Sequence, residues 1–325
     1  MTNEPVVNNM ENKDKFVIIG NDDIASEKII APRYSYWRSV GRVFFRKKLN
    51  IFLIVAFILI LLASFVVPVF CPYDPMENVT NAATFNMSPV KAMAYFGKSA
   101  PPLKWILGTG PQGNSIFYGL FSSAKTSLLL AMACAAINMS VGIIMGAVWG
   151  YSKKFDAVML VIYNIVANVP YLLLVSVLVY VVGSGFGSFI FALTITGWMG
   201  IAYFFRTQVM IIRDREYSLA SRCLGTPIPR VVSKNILPFL TSVIVTLLAT
   251  ELPAYVSMEV YLSFIGIGLS ATIPSLGRMI SQAQSAFRTF PWEFWPPVLV
   301  ASMVTIILYL LGQNLADATD PRTHM

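Results

Sequence analysis

Residues 50–70, NIFLIVAFILILLASFVVPVF, carry no charged side chain. At ~1.5 Å of rise per helical residue such a run crosses the ~30 Å hydrocarbon core of a bilayer, where the backbone must satisfy its own polar groups. It is therefore read as a membrane helix, TM1. It follows a long polar segment, unlike the apolar core of a cleavable signal peptide. Further apolar runs recur near residues 126–149, 157–182, 189–205, 240–267 and 297–315, so six spans are expected. Of the 325 residues 56% are hydrophobic and 12% charged, too few charges to coat a soluble globule. The expected fold class is an all-α polytopic membrane protein with the lipid bilayer as a partner.

The formal net charge is +8, but the basic residues flank apolar runs and do not interleave with aromatics on one patch. Nucleic acid is therefore not an expected partner. With the N-terminus in the cytoplasm, that side collects Arg33, Arg38, Arg42, Arg46, Lys47, Lys48, Lys153, Lys154, Arg206, Arg213, Arg215, Arg222, Arg230, Lys234 and Arg322. The other side has Lys91, Lys98, Lys104, Arg278, Arg288 and the borderline Lys125. The positive-inside rule then places both termini in the cytoplasm.

Cys71, Cys134 and Cys223 fall in three different compartments of this topology, and the single histidine is His324. A disulfide framework, a metal site and a histidine-based triad are thus unexpected. No GxxxxGK[ST] run occurs, so ATP chemistry would fall to another chain.

Six segments are expected. Residues 1–33 are polar and read as a disordered cytoplasmic tail. In residues 34–49, Arg38, Arg42 and Arg46 repeat every four positions while Trp37, Val40 and Phe44 follow another face. This suits an interfacial helix, or a plain basic flank of TM1 at 50–70. Residues 71–123 form an external loop with the turn-rich runs PYDP, SAPP and LGTGPQGNS; Asn78-Val79-Thr80 fits the short glycosylation pattern, which is frequent by chance. Residues 124–315 hold TM2 to TM6 and a cytoplasmic loop at 206–238, and residues 316–325 are a cytoplasmic tail.

Polar residues interrupt two spans: Pro170 with Asn164 and Asn168 in the third, and Glu251, Pro253 and Glu259 in the fifth. A carboxylate at mid-bilayer costs at least ~2.5 kcal/mol unless it faces protein or water. Glu251 and Glu259 stand within about 80° of each other on a helix and can share an interior surface. They read either as an acidic pathway that attracts a ligand's ammonium group or as acceptors for neighbouring helices. With Asn168 they are the substrate-pathway candidates. The later runs GIGLSATIPSLGRMI and FRTFPWEFWPP predict an external re-entrant or interfacial stretch, with Trp292 and Trp295 as headgroup anchors.

Between the fourth and fifth spans, residues 213–238 read RDREYSLASRCLGTPIPRVVSKNILP. Glu216, Leu219, Ala220 and Leu224 follow helical spacing, Arg213, Arg215 and Arg222 supply solvent contacts, and Gly225 with Pro227 and Pro229 provides a stop. A short helix on the membrane surface is expected. Small Ala220 and Ser221 would let another protein approach closely.

EYSLASRCLGTP followed by KNILP resembles the EAA loop of ABC importer permeases. Gly225, Leu237 and Pro238 match in register, Leu219-Ala220-Ser221 occupies the EAA triplet, and Asn235 stands where Ile is usual. LTITGWMGIAYFFRTQV, MEVYLSFIGIGL, SLGRMIS and GQNLADATDPR are similar to the C-type permease subunit of dipeptide and oligopeptide importers, especially those of Gram-positive bacteria. The family's GTDxxGRD departs here to Gly110, Asn114 and Ser115 at its charged positions, so the role of that charged pair does not carry over.

The resemblance implies a type I ABC importer permease fold and a non-catalytic subunit with no cofactor of its own, ATP and Mg being bound by partner ATPases. It implies a homologous second permease, two cytoplasmic ABC ATPases, an external peptide-binding lipoprotein and a bacterial plasma-membrane location. It also implies that Glu216, Leu219, Ala220, Ser221, Leu224 and Gly225 form the ATPase-docking coupling helix. Nickel chelates or glutathione in place of peptides, and a stand-alone secondary transporter, are the alternative functions.

Overall fold

The structure, a computed structural model, describes residues 36–75, 82–96 and 102–319. The expected tail at 1–33, the Asn78-Val79-Thr80 pattern and residues 320–325 lie outside the described residues. Among the described residues the secondary structure is helical apart from an isolated bridge between Thr109 and Ser115.

In chain order the helices are α1 (Tyr36–Arg46), α2 (Lys48–Phe70), α3 (Pro89–Phe96), α4 (Ile116–Tyr151), α5 (Lys153–Ala167), α6 (Tyr171–Val182), α7 (Phe186–Thr194), α8 (Trp198–Arg213), α9 (Glu216–Cys223), α10 (Ile228–Val231), α11 (Thr241–Phe264), α12 (Leu276–Ala283) and α13 (Pro291–Thr319). Five runs are long and apolar enough to cross a membrane: Lys48–Phe70, Ile116–Tyr151, Phe186–Arg213, Ile228–Phe264 and Pro291–Thr319. Helices α5 and α6 are together long and apolar enough as well, and they bend by 82° at their break. Pro170 explains the bend, because it lacks an N–H and disfavours helical geometry at Val169. The Asn168 amide donates to the Asn164 carbonyl at 2.6 Å and satisfies one of the carbonyls freed there.

Two loop boundaries move. The external loop expected to reach residue 123 ends at Ser115, whose hydroxyl accepts from the Tyr118 N–H at 3.3 Å and caps α4. The cytoplasmic loop expected at 206–238 shrinks from both sides, since α8 continues to Arg213 and the next helical run begins at Ile228. A π turn at Val232–Ile236 and a 3-10 turn at Pro238–Leu240 carry that run across its proline. Arg38, Arg42 and Arg46 of α1 are exposed while Val40 and Phe44 are buried; Trp37, expected on the apolar face, is exposed.

Helices α4 and α8 cross closely. Gly142, Gly146 and Gly150 form a stripe along α4, and a Cβ on Gly146 would lie 2.6 Å from the Ala202 carbonyl oxygen. Such small-residue stripes let membrane helices approach backbone to backbone, where van der Waals contact replaces the absent hydrophobic drive. Above this crossing Leu130, Val175, Phe189, Leu193 and Leu262 fill one part of the core; Phe205, Val209, Val231 and Ile236 fill another.

Lys47 Nζ donates to Asn314 Oδ1 at 2.9 Å, so the start of the first span and the end of the last lie at the same end of the bundle. The Asn114 amide donates to the Tyr73 hydroxyl at 2.9 Å at the other end. Helix α4 joins these two ends, about 50 Å apart at 1.5 Å per residue.

Candidate functional site

Helix α9 is held against the bundle by one face. Ser218 is buried, the Arg222 guanidinium lies 5.7 Å from the centre of the Tyr151 ring, and Ser221 Oγ accepts from the Asn235 amide at 3.0 Å. These residues stand at i, i+3 and i+4 and so share a side. The rest of its surface is open and mixed: Leu219 and Tyr217 are each 43% exposed, and Leu224, just past its end, is 86% exposed. Ala220 and Glu216 lie on it as well, both exposed.

The helix ends in a Schellman motif. The Gly225 N–H donates to the Arg222 carbonyl at 2.9 Å and the Thr226 N–H to the Ser221 carbonyl at 3.1 Å, with Gly225 at φ +76°. A Cβ on Gly225 would meet nothing within 4 Å, so left-handed backbone geometry demands glycine here, while the space for a side chain is free. Gly225→Ala is expected to cost about 1 kcal/mol of local stability without a clash. Hydrogen exchange should show the α9 amides about fivefold less protected, with the spans unchanged.

Arg213 was expected among the solvent contacts. It is instead buried, with Nη1 donating to the Gly150 carbonyl at 3.0 Å and two further nitrogens to Asp214 at 3.0 and 3.1 Å. Those hydrogen bonds hold the Asp214 carboxyl below its ordinary value. The carbonyl at the crowded α4 crossing captures the guanidinium, a contact that helical periodicity alone does not reveal.

The two interior carboxylates have separate surroundings. Glu259 is fully buried, accepting from Ser127 Oγ at 2.8 Å and Ser263 Oγ at 3.1 Å, while the Ser127 hydroxyl also accepts from the Leu276 N–H at 3.0 Å. It ties α4, α11 and α12 together, the second of the two readings that the sequence leaves open for this carboxylate. Glu251 lines a cavity of about 410 Å³ together with Tyr163, Tyr171, Thr196, Gly200, Tyr255 and Met258. Tyr255, one turn on, accepts from the Asn138 amide. The Tyr171 hydroxyl donates to the Leu193 carbonyl at 2.9 Å. Asn168 stands at the neighbouring α5–α6 break but points to Asn164 and does not line the cavity.

Three arrangements escaped the reading of the sequence. The α4 glycines were visible as a GxxxGxxxG spacing. Asp156 accepts from Trp149 Nε1 at 2.6 Å and from Arg206 Nη2 at 2.8 Å, while Tyr163 and Tyr203 stack at 4.4 Å beside them. This polar knot joins α4, α5 and α8, and only proximity discloses it. Gly110 and Asn114 fit one another, since a Cβ on Gly110 would sit 2.7 Å from Asn114 Oδ1. Trp292, expected as a headgroup anchor, turns inward against Gly108; Trp295 is 51% exposed. Among the described residues no three His, Cys, Asp or Glu side chains gather to hold a metal.

A bundle of five apolar passes and one bent pair defines a multi-pass membrane protein. Residues 138–325 match the family described as binding-protein-dependent transport system inner membrane component, and residues 35–89 match the N-terminal TM domain of oligopeptide transport permease C. The chain belongs to this family of inner membrane transport components. It is a multi-pass protein of the bacterial plasma membrane and a non-catalytic component of its system.

It is 43% identical over 312 residues to the oligopeptide transport system permease protein AmiD of Streptococcus pneumoniae, covering 96% of this chain and 98% of that one. It is 31% identical to the dipeptide transport system permease protein DppC of Bacillus subtilis (98% and 96% covered) and 31% identical to the oligopeptide transport system permease protein OppC of the same organism (91% and 93%).

Proposed function

We propose that this chain is a permease subunit of an ATP-driven oligopeptide importer and contributes half of its translocation pathway. The observation that carries the coupling role is α9: held to the bundle through Ser221 and Arg222 with Ser218 buried, and with Leu219, Ala220 and Leu224 exposed away from it. The names of the relatives support the peptide cargo. A homologous permease completes the pathway, two ATPases bind ATP and Mg, and an external binding lipoprotein delivers peptide. The side that holds α9 is the cytoplasm.

In this mechanism Leu219, Ala220 and Leu224 seat in a groove of one ATPase, with Glu216 at the helix start. Closure of the ATPase pair moves α9, and the clamp between Asn235 and Ser221 passes the motion to the helical run Ile228–Phe264 that carries Glu251. A rigid lever is what such transmission requires. The bend between α5 and α6 lies beside the Glu251 cavity, where a change of helix angle opens or closes the path. Within it, Glu251 offers a negative charge to the amine of a passing peptide, and Tyr171 and Tyr255 supply polar edges on apolar walls.

Uptake of a radiolabelled oligopeptide by cells with and without this chain tests the reading. Uptake is expected to vanish without it, and a preference for nickel chelates or glutathione would replace the peptide cargo. Glu251→Gln is expected to lower uptake of free-amine peptides about tenfold and to leave N-acetylated peptides unchanged. Equal losses for both peptides would remove the amine-reading role from Glu251.

A further inference from the structure

At the end of the bundle opposite α9, a second cavity of about 250 Å³ opens between the turn before α4, helix α12 and the start of α13. Tyr73, Gln112, Asn114, Met279, Gln282 and Glu293 are among its lining residues. Glu293 is 4% exposed, and neither of its carboxylate oxygens has a hydrogen-bond partner. Gln112, which lines the same cavity, has a buried and unpartnered Oε1 as well. Three acceptors in one cavity thus lack a donor.

Unmatched buried acceptors are costly, a carboxylate most of all. The first turn of α13 favours negative charge on Glu293 through its dipole but donates no hydrogen bond to its oxygens. The Asn114 amide is engaged with Tyr73, and Arg278 of the adjoining α12 makes no hydrogen bond to the carboxylate. Among the described residues no donor reaches these oxygens, although the buried Arg278 Nε is itself unpartnered.

We propose that this cavity binds a single alkylammonium group. An –NH3+ carries three donors and no acceptor, which matches two carboxylate oxygens and one amide oxygen. Cavities for drug-sized ligands span ~300–1,000 Å³, so this one admits an amine-bearing side chain or chain end and not a whole peptide. Calcium and magnesium gather six or more oxygen ligands, beyond what this wall supplies. Two sources present such a group: a lysine side chain of another protein, or the α-amine of a peptide. The site stands apart from Glu251, and its binding requires neither transport nor an ATPase.

The full chain in lipid nanodiscs is titrated with n-butylammonium, tetramethylammonium and sodium chlorides at equal ionic strength, with the thermal midpoint and titration heat recorded. Butylammonium alone is expected to raise the midpoint saturably. Glu293→Gln, which keeps the shape and removes the charge, is expected to weaken binding at least about tenfold, and Gln112→Leu severalfold. An equal response to tetramethylammonium, which has no N–H, or to sodium overturns the proposal. So does an unchanged response in Glu293→Gln. Nα-acetyl-lysine methylamide and glycylglycinamide then separate the sources: binding of the first assigns a lysine side chain, binding of the second a peptide terminus, and binding of neither overturns the site.

Discussion

Gly146→Leu is expected to prevent the bundle from assembling. A Cβ at this position would lie 2.6 Å from the Ala202 carbonyl oxygen and 2.7 Å from Phe205 Cβ, and neither atom belongs to the free end of a flexible side chain. The helices must separate, and separation also opens the contacts at Gly142 and Gly150 on the same stripe. Overpacking of this kind costs about 3 kcal/mol or more, at the upper end for single substitutions. The measurement is the yield of monodisperse protein after mild detergent extraction, expected to fall at least tenfold. Gly41→Leu, where an added Cβ meets nothing within 4 Å, serves as the comparison and should accumulate normally. Equal yields from both variants would show that the close crossing does not hold the bundle.

Leu224→Ser is expected to uncouple the chain from its ATPase while sparing the fold. The side chain is 86% exposed, so the bundle loses almost no contact when it is shortened. If it fills an ATPase groove, the interface loses the burial of a leucine, about 2 kcal/mol. Copurification of the ATPase should drop at least tenfold and peptide uptake with it, at unchanged thermal midpoint of the isolated chain. Unaltered copurification would sink the docking role of α9. A lowered midpoint would instead mean that Leu224 supports the fold.

Two of the three departures from the EAA pattern, Ser221 and Asn235, show how far residue-by-residue matching reaches. Ser221 in the triplet and Asn235 in place of Ile look like two separate weakenings of the motif when read along the chain. In the fold their side chains are 3.0 Å apart and hydrogen-bonded, so each explains the other. Gly110 and Asn114 repeat the lesson at the opposite end. Compensation between positions lies across space, and a linear pattern has no term for it.

The sequence by itself determined the class of fold, because charge-free apolar runs leave a chain in lipid only helices that satisfy their own backbone. It also marked Pro170 as an interruption within the third span and placed the stop at Gly225, since a missing N–H and a left-handed backbone are properties of single residues. Tertiary structure alone decided which carboxylate meets a cavity. Glu251 and Glu259 occupy one helix, about 12 Å apart at 1.5 Å per residue, and look equivalent by periodicity. Serines from α4 and α11 enclose Glu259, a cavity meets Glu251, and Glu293, unremarked in its aromatic run, is left with no partner. A carboxylate's role follows from the donors that surround it, and distant parts of the chain supply those donors.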